Sequence, residues 1–193
     1  EREIPVSVEV WDFALPVKSS MQTNFLHHWN NNYYEDVGIS SKEMNRMVWE
    51  FFLDYRISGN YMFFIEYDGY GADLENYVKS MKEFVDEHPE ITHVQLLLHQ
   101  WDYSGTVDSE AMANNKNNKY MYELLKKYGL TQIASYYVVD EPADTEANEK
   151  LIKDLAAGIS GFAPDIKNIV TTNNSKYDGY ISCWCPLWNM IDK

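Results

Sequence analysis

Asp140 and Glu141 stand side by side at the end of the apolar run 136–139 and are followed at once by Pro142. Neighbouring carboxyls at such a point can divide acid–base work, one giving and taking a proton while the other steadies developing positive charge. The same two acids also suit the start of a following helix, where negative side chains oppose the helix dipole. Successive strand residues face opposite ways, so both carboxyls reach one cleft only if the backbone turns there, and Pro142 favours that exit.

Other residue types with chemical use collect where apolar runs give way to polar ones. In chain order these are Trp11 and Asp12, then Glu66, Tyr67 and Asp68, then His99, Trp101 and Asp102, then Asn173 and Asn174, and last Trp184 and Trp188. Trp11, Asp12, Tyr67, His99, Trp101, Asn173, Trp184 and Trp188 are the candidate substrate contacts. Aromatic rings offer flat stacking area with a polar edge. Core packing is an equally good account of Trp184, and a lone histidine such as His99 is as often a satisfied structural group. His27 and His28 are adjacent and fit no zinc-ligand spacing, so no metal site is predicted. Asn173-Asn174-Ser175 matches a glycosylation sequon, a short pattern that carries little weight.

These residues need a scaffold, and the chain alternates short apolar runs with amphipathic stretches throughout. The strings IPVSVEVWDF, YMFFIEYD, HVQLLLH, SYYVVDE, KNIVTT and YISCWC read as strands. Between them, Ser40 or Ser41 can cap a helix carrying Met47, Phe51 and Phe52, and Asp73 can cap one carrying Leu74, Val78 and Met81. A polar stretch from Gln100 to Asn118 precedes a shorter helix ended by Gly129, and another helix runs from about Thr145 to Ile159. Strands alternating with helices imply parallel pairing and an α/β class, in one domain over residues 1–193. No strand is followed by a glycine-rich phosphate turn, which favours a TIM-type (β/α) barrel over a doubly wound sheet. With 193 residues the chain is shorter than the roughly 200 to more than 400 residues of such barrels, so an incomplete barrel is expected. In these folds functional groups gather at the carboxyl ends of strands, where both acids lie.

Composition narrows the partners. Lys+Arg number 16 against Asp+Glu 30, a net charge of -14 that repels nucleic acid and anionic membranes. No apolar run approaches the length of a membrane span, and the chain opens on Glu1-Arg2-Glu3 and not on a charged start followed by an apolar signal, so a soluble, trimmed chain is expected, one from which a secretion signal could have been removed. Cys183 and Cys185, one residue apart on a strand, share a face, are too constrained for an ordinary disulfide and read as packed thiols.

Two adjacent carboxyls do not easily span both faces of a sugar ring, as ordinary glycosidic hydrolysis requires. They suit a substrate-assisted route, in which a 2-acetamido oxygen attacks, one carboxylate orients that amide and the other serves as acid and then base. The strings VWDFALP at 10–16, FFLDYRIS at 51–58, YVVDEPAD at 137–144 and DGYISCWCPLWN at 178–189 resemble successive landmarks of glycoside hydrolase family 123, the β-N-acetylgalactosaminidases and their relatives. The resemblance implies a retaining exo-hydrolase that releases terminal β-linked N-acetylgalactosamine through an oxazoline, with no metal or organic cofactor. It implies that Asp140 holds the acetamido group and that Glu141 protonates the leaving oxygen and later activates water. It also implies a glycan partner and a secreted or periplasmic location. A hydrolase of other sugar specificity and a non-catalytic glycan-binding fragment are the alternatives. The enzymatic reading requires both acids to meet in one sugar-sized hollow with aromatic walls.

Overall fold

The computed structural model describes residues 2–25, 38–65, 73–96, 98 and 107–186. Its elements are α1 (Ser41–Asp54), α2 (Leu74–Glu87), β1 (Val94–Leu96), α3 (Ser109–Asn114), α4 (Lys116–Lys127), β2 (Ala134–Val139), α5 (Glu146–Phe162), β3 (Lys167–Val170), a 3-10 turn at Ser175–Tyr177 and β4 (Cys183–Trp184). The four strands form one sheet in the order β1-β2-β3-β4, and every pairing is parallel. Parallel strands require crossover connections, which the intervening helices supply. The fold is therefore mixed α/β. Among the described residues the sheet has two free edges, β1 and β4, and does not close into a barrel.

Polar side chains fix where the helices begin. Ser40 Oγ accepts from the Glu43 amide at 3.2 Å, and Thr145 Oγ1 from the Asn148 amide at 3.2 Å, each satisfying an amide that lacks an intrahelical partner. Asp73 occupies the cap position of α2 without a side-chain capping bond, contrary to expectation. The polar stretch 100–118 is helical in its second part. There Asp108 caps α3 through the Ala111 amide at 2.9 Å, and Asn115 ends α3 and caps α4 through the Asn117 amide at 2.8 Å.

Two expected strands are absent from the described residues. Residues 4–13 form no strand and pair with none among the described residues, the chain bends at Asp12, and Ile4, Val6, Val8 and Val10 are 79% or more exposed. Alternation alone makes no strand without a neighbour to complete the ladder. Residues 61–65 form turns, and their backbone groups bond to α1 side chains instead of a sheet: Trp49 Nε1 donates to Tyr61 O at 3.1 Å and the Phe64 amide to Asn45 Oδ1 at 3.1 Å. The rest of YMFFIEYD lies outside the described residues.

One face of the sheet packs on the helices. Val94 and Leu96 of β1, Tyr136 of β2 and Val170 of β3 join a single buried cluster with Trp49, Met81, Leu125 and Ile152. Fully burying such a side chain contributes about 1.5–3 kcal/mol. Tyr136 meets Phe162 of α5 edge-on at 5.9 Å, so the helix that follows β2 braces the strand carrying the two acids. The other face carries Gln95, Tyr137, Ile169, Cys183 and Cys185, and these line a cavity.

Candidate functional site

The position of Asp140 depends on an irregularity in β2. Tyr137 pairs with Ile169, but Val139 pairs with Val170, so Val138 is an extra residue on its strand. Paired residues in a sheet share a face. Tyr137 thus joins Ile169 on the cavity side and Val139 joins Val170 on the helix side, which returns the next residue, Asp140, to the cavity. In an unbroken strand Asp140 would face the helices. A bulge that re-aims a side chain in this way is a recurrent feature beside functional sites.

Asp140 is held by two donors. The Tyr137 hydroxyl donates to Asp140 Oδ1 at 2.6 Å and the Thr171 hydroxyl donates to the same oxygen at 3.1 Å. Thr171 Oγ1 in turn accepts from the Glu141 amide. Burial, reinforced by the bond to Asp140, pushes the Tyr137 phenol above its ordinary range, so the hydroxyl stays a donor at neutral pH. Glu141 has φ 40, in the left-handed region that costs a non-glycine residue about 1–3 kcal/mol.

The cavity beside Asp140 has a volume of about 600 Å³ and is lined by Tyr61 and Tyr137, with Trp184 at its border and Gln22, Asn24 and Gln95 as amide groups. Asn24 Nδ2 donates to Gln95 Oε1 at 2.6 Å, and Gln22 Oε1 accepts from Lys167 Nζ at 2.5 Å, so these amides are themselves held in place. Glu141 opens on a second hollow of about 430 Å³, with Pro142, Asp144, Asn173 and Asn174. Thr171 lines both hollows. The single shared hollow expected for the two carboxyls is therefore two, divided at Thr171.

The remaining expected contacts separate into three sets. Trp184 pairs with Val170, packs against the core and also borders the cavity, and Asn173 lines the hollow of Glu141. Trp11 and Asp12 lie on the exposed, unpaired stretch near the start of the chain, where Trp11 is 68% exposed and its ring lies 5.9 Å from that of Phe13, outside either lining. Tyr67, His99, Trp101 and Trp188 fall outside the described residues, as do His27 and His28. Cys183 and Cys185 share a face as expected but are not packed thiols: Cys183 is half-buried, Cys185 is exposed, and both line the cavity.

Tyr137 and Thr171 were not among the residues singled out from the sequence. Thr171 directly follows β3, so the strand-end rule that selected Asn173 reaches it as well. Nothing in the sequence signals Gln22 and Asn24, which lie in a stretch without periodicity. Among the described residues no helix is long and apolar enough to cross a membrane, and no group of three or more His, Cys, Asp or Glu is placed to hold a metal ion. Compared with known families and with curated proteins, the chain matches no family model and no curated sequence.

Proposed function

We propose that the chain is a retaining exo-glycoside hydrolase that releases terminal β-linked N-acetylgalactosamine by substrate-assisted catalysis. The two acids open on two adjoining hollows and not on the single one that the sequence reading required. What supports the reading is the placement of Asp140 by the bulge at Val138 in a cavity lined by Tyr61 and Tyr137, with the hollow of Glu141 directly beside it across Thr171, the two hollows being taken together as one site. The terminal sugar and its acetamide occupy the larger hollow, and the departing group lies over the smaller one. Asp140 accepts the acetamide N–H, which directs the acetamide oxygen at the anomeric carbon and steadies the charge on the forming oxazolinium ring. Glu141 gives its proton to the leaving oxygen. It then takes a proton from the water that opens the oxazoline, restoring the starting anomeric configuration. A glycan substrate of this kind suits a secreted or periplasmic enzyme.

The sheet supports a barrel-type scaffold for this chemistry. Its order follows the chain without the reversal of a doubly wound sheet, one face packs on helices, and the other presents polar groups. We read it as an arc of a (β/α) barrel.

Turnover of a chromogenic aryl β-N-acetylgalactosaminide tests the reading, with Glu141→Gln and Asp140→Asn as variants. Each variant should lose roughly 10²-fold or more of kcat, and the matching aryl galactoside without the acetamide should not be cleaved. Full activity in Glu141→Gln would refute the assigned acid/base, and cleavage of the plain galactoside would point to a hydrolase of other specificity. The division of the acids between two hollows favours one second reading, a glycan-binding protein without turnover. Saturable binding of N-acetylgalactosamine that Glu141→Gln leaves unchanged, with no hydrolysis, would establish it.

A further inference from the structure

Cys183 and Cys185 are used by neither the core nor the proposed reaction. Cys183 pairs with Ile169 in the sheet, and the Cys185 amide donates to Val170 O at 3.0 Å, so the chain stays extended through both residues. Alternate residues of an extended strand share a face, and both cysteines line the cavity. Neither is in a disulfide.

We propose that Cys183 and Cys185 form a two-thiolate site for a soft monovalent metal ion of the copper(I) class. Thiolates select soft ions over hard ones. Tetrahedral zinc needs about four ligands, whereas among the described residues no third His, Cys, Asp or Glu completes a group with these two. A monovalent d¹⁰ ion is satisfied by two sulfurs in a line. The two Cα atoms stand roughly 6.6 Å apart along an extended chain, a span across which two side chains on one face can lean toward each other and bring both sulfurs to one ion. Binding follows 2 R–SH + Cu⁺ → [Cu(SR)₂]⁻ + 2 H⁺, with no change in oxidation state. Two protons leave on binding, so uptake strengthens as pH rises. The formal charge of -14 favours a cation over an anion at this surface.

The site rests on the two thiols and not on the glycosidase reading, although both line the cavity that the proposed function gives to the sugar, so a bound ion and the sugar would compete for that space. The test is anaerobic competition for copper(I) between the reduced chain and a chromogenic chelator, followed also by ultraviolet thiolate-to-metal absorption. The wild-type chain should take one equivalent. Cys183→Ser and Cys185→Ser should each compete roughly 10²- to 10⁴-fold less well, because a chelate binds through the high effective concentration of its second arm. Circular dichroism establishes that each variant is folded, and Cys185→Ala, at the exposed position, supplies a further variant. Equal competition by wild type and folded single variants, or a stoichiometry other than one, would overturn the proposal.

Discussion

Tyr137 and Asp140 face the same cavity although three positions separate them, and the Tyr137 hydroxyl donates to Asp140 Oδ1 at 2.6 Å. The extra residue Val138 makes this possible, since three steps along an unbroken strand end on the opposite face. Tyr137→Phe removes the donor while leaving the ring. Asp140 is exposed, so the loss of stability should be small, about 1 kcal/mol by urea denaturation. The loss of function should be larger, roughly tenfold in kcat, because the carboxylate is freed to turn away from the acetamide. A variant with unchanged turnover would show that the phenol plays no part in positioning Asp140.

Glu141 combines a chemical role with a backbone position that suits glycine. Its φ of 40 lies in the left-handed region, where a non-glycine residue costs about 1–3 kcal/mol. Glu141→Gly should therefore stabilise the fold by about 1 kcal/mol while abolishing hydrolysis, whereas Glu141→Gln should abolish hydrolysis with no gain. Thermal melts of the two variants side by side check this. A glycine variant no more stable than the glutamine one would show that the greater freedom of glycine in the unfolded chain cancels the relief of strain.

The sequence marks the acid pair, the helices and the parallel α/β class because each rests on local chemistry. Ser40 and Thr145 cap helices where their types suggest, and the β2 acids emerge at its carboxyl end. What stays hidden is non-local. Residues 4–13 carry the alternation of a strand, yet a strand exists only where a neighbour completes its hydrogen bonds. The bulge at Val138 is set by the register against β3, which no pattern within SYYVVDE encodes, and without it the side of the sheet that Asp140 faces cannot be assigned. Residues 109–114 lie within the polar stretch from Gln100 to Asn118, where Asn115 and its polar neighbours mask a short helix that tertiary packing against α5 holds in place.

That packing gives a prediction about glycine. On α5, a Cβ at Gly158 would lie 2.7 Å from Met112 Sδ and one at Gly161 would lie 2.5 Å from Ala113 Cβ. Both contacts are closer than non-bonded atoms tolerate, so α3 approaches α5 only over these bare backbones. Gly161→Ala meets a side chain with no room to turn aside and should cost about 1–3 kcal/mol. Gly158→Ala meets Met112 at Sδ, with Cβ and Cγ at 3.1 Å, and should cost less because the thioether can swing aside while the two nearer carbons give by a few tenths of an ångström. Chemical denaturation that ranked the two the other way would mean that α3 moves more readily than Met112.

Acid should weaken the fold through His93. The ring is buried, with Nε2 2.5 Å from Ser135 Oγ and Nδ1 lacking a hydrogen-bond partner. Burial, with a smaller push from the Lys167 charge, lowers its pKa from 6.5 to about 4. Between those values the unfolded chain holds a proton that the folded chain does not, so the unfolded state gains relative stability as pH falls from about 6.5. The loss accumulates toward pH 4 and then levels off, and its full extent is about 3 kcal/mol. His93→Gln keeps a polar group near Ser135 but cannot titrate, so its stability should fall less steeply than wild type across this window. Carboxylates that titrate in the same range act on both proteins and cancel in the difference. Parallel stability curves for the two proteins from pH 7 to pH 4 would show that His93 accepts its proton as readily in the folded chain as in the unfolded one.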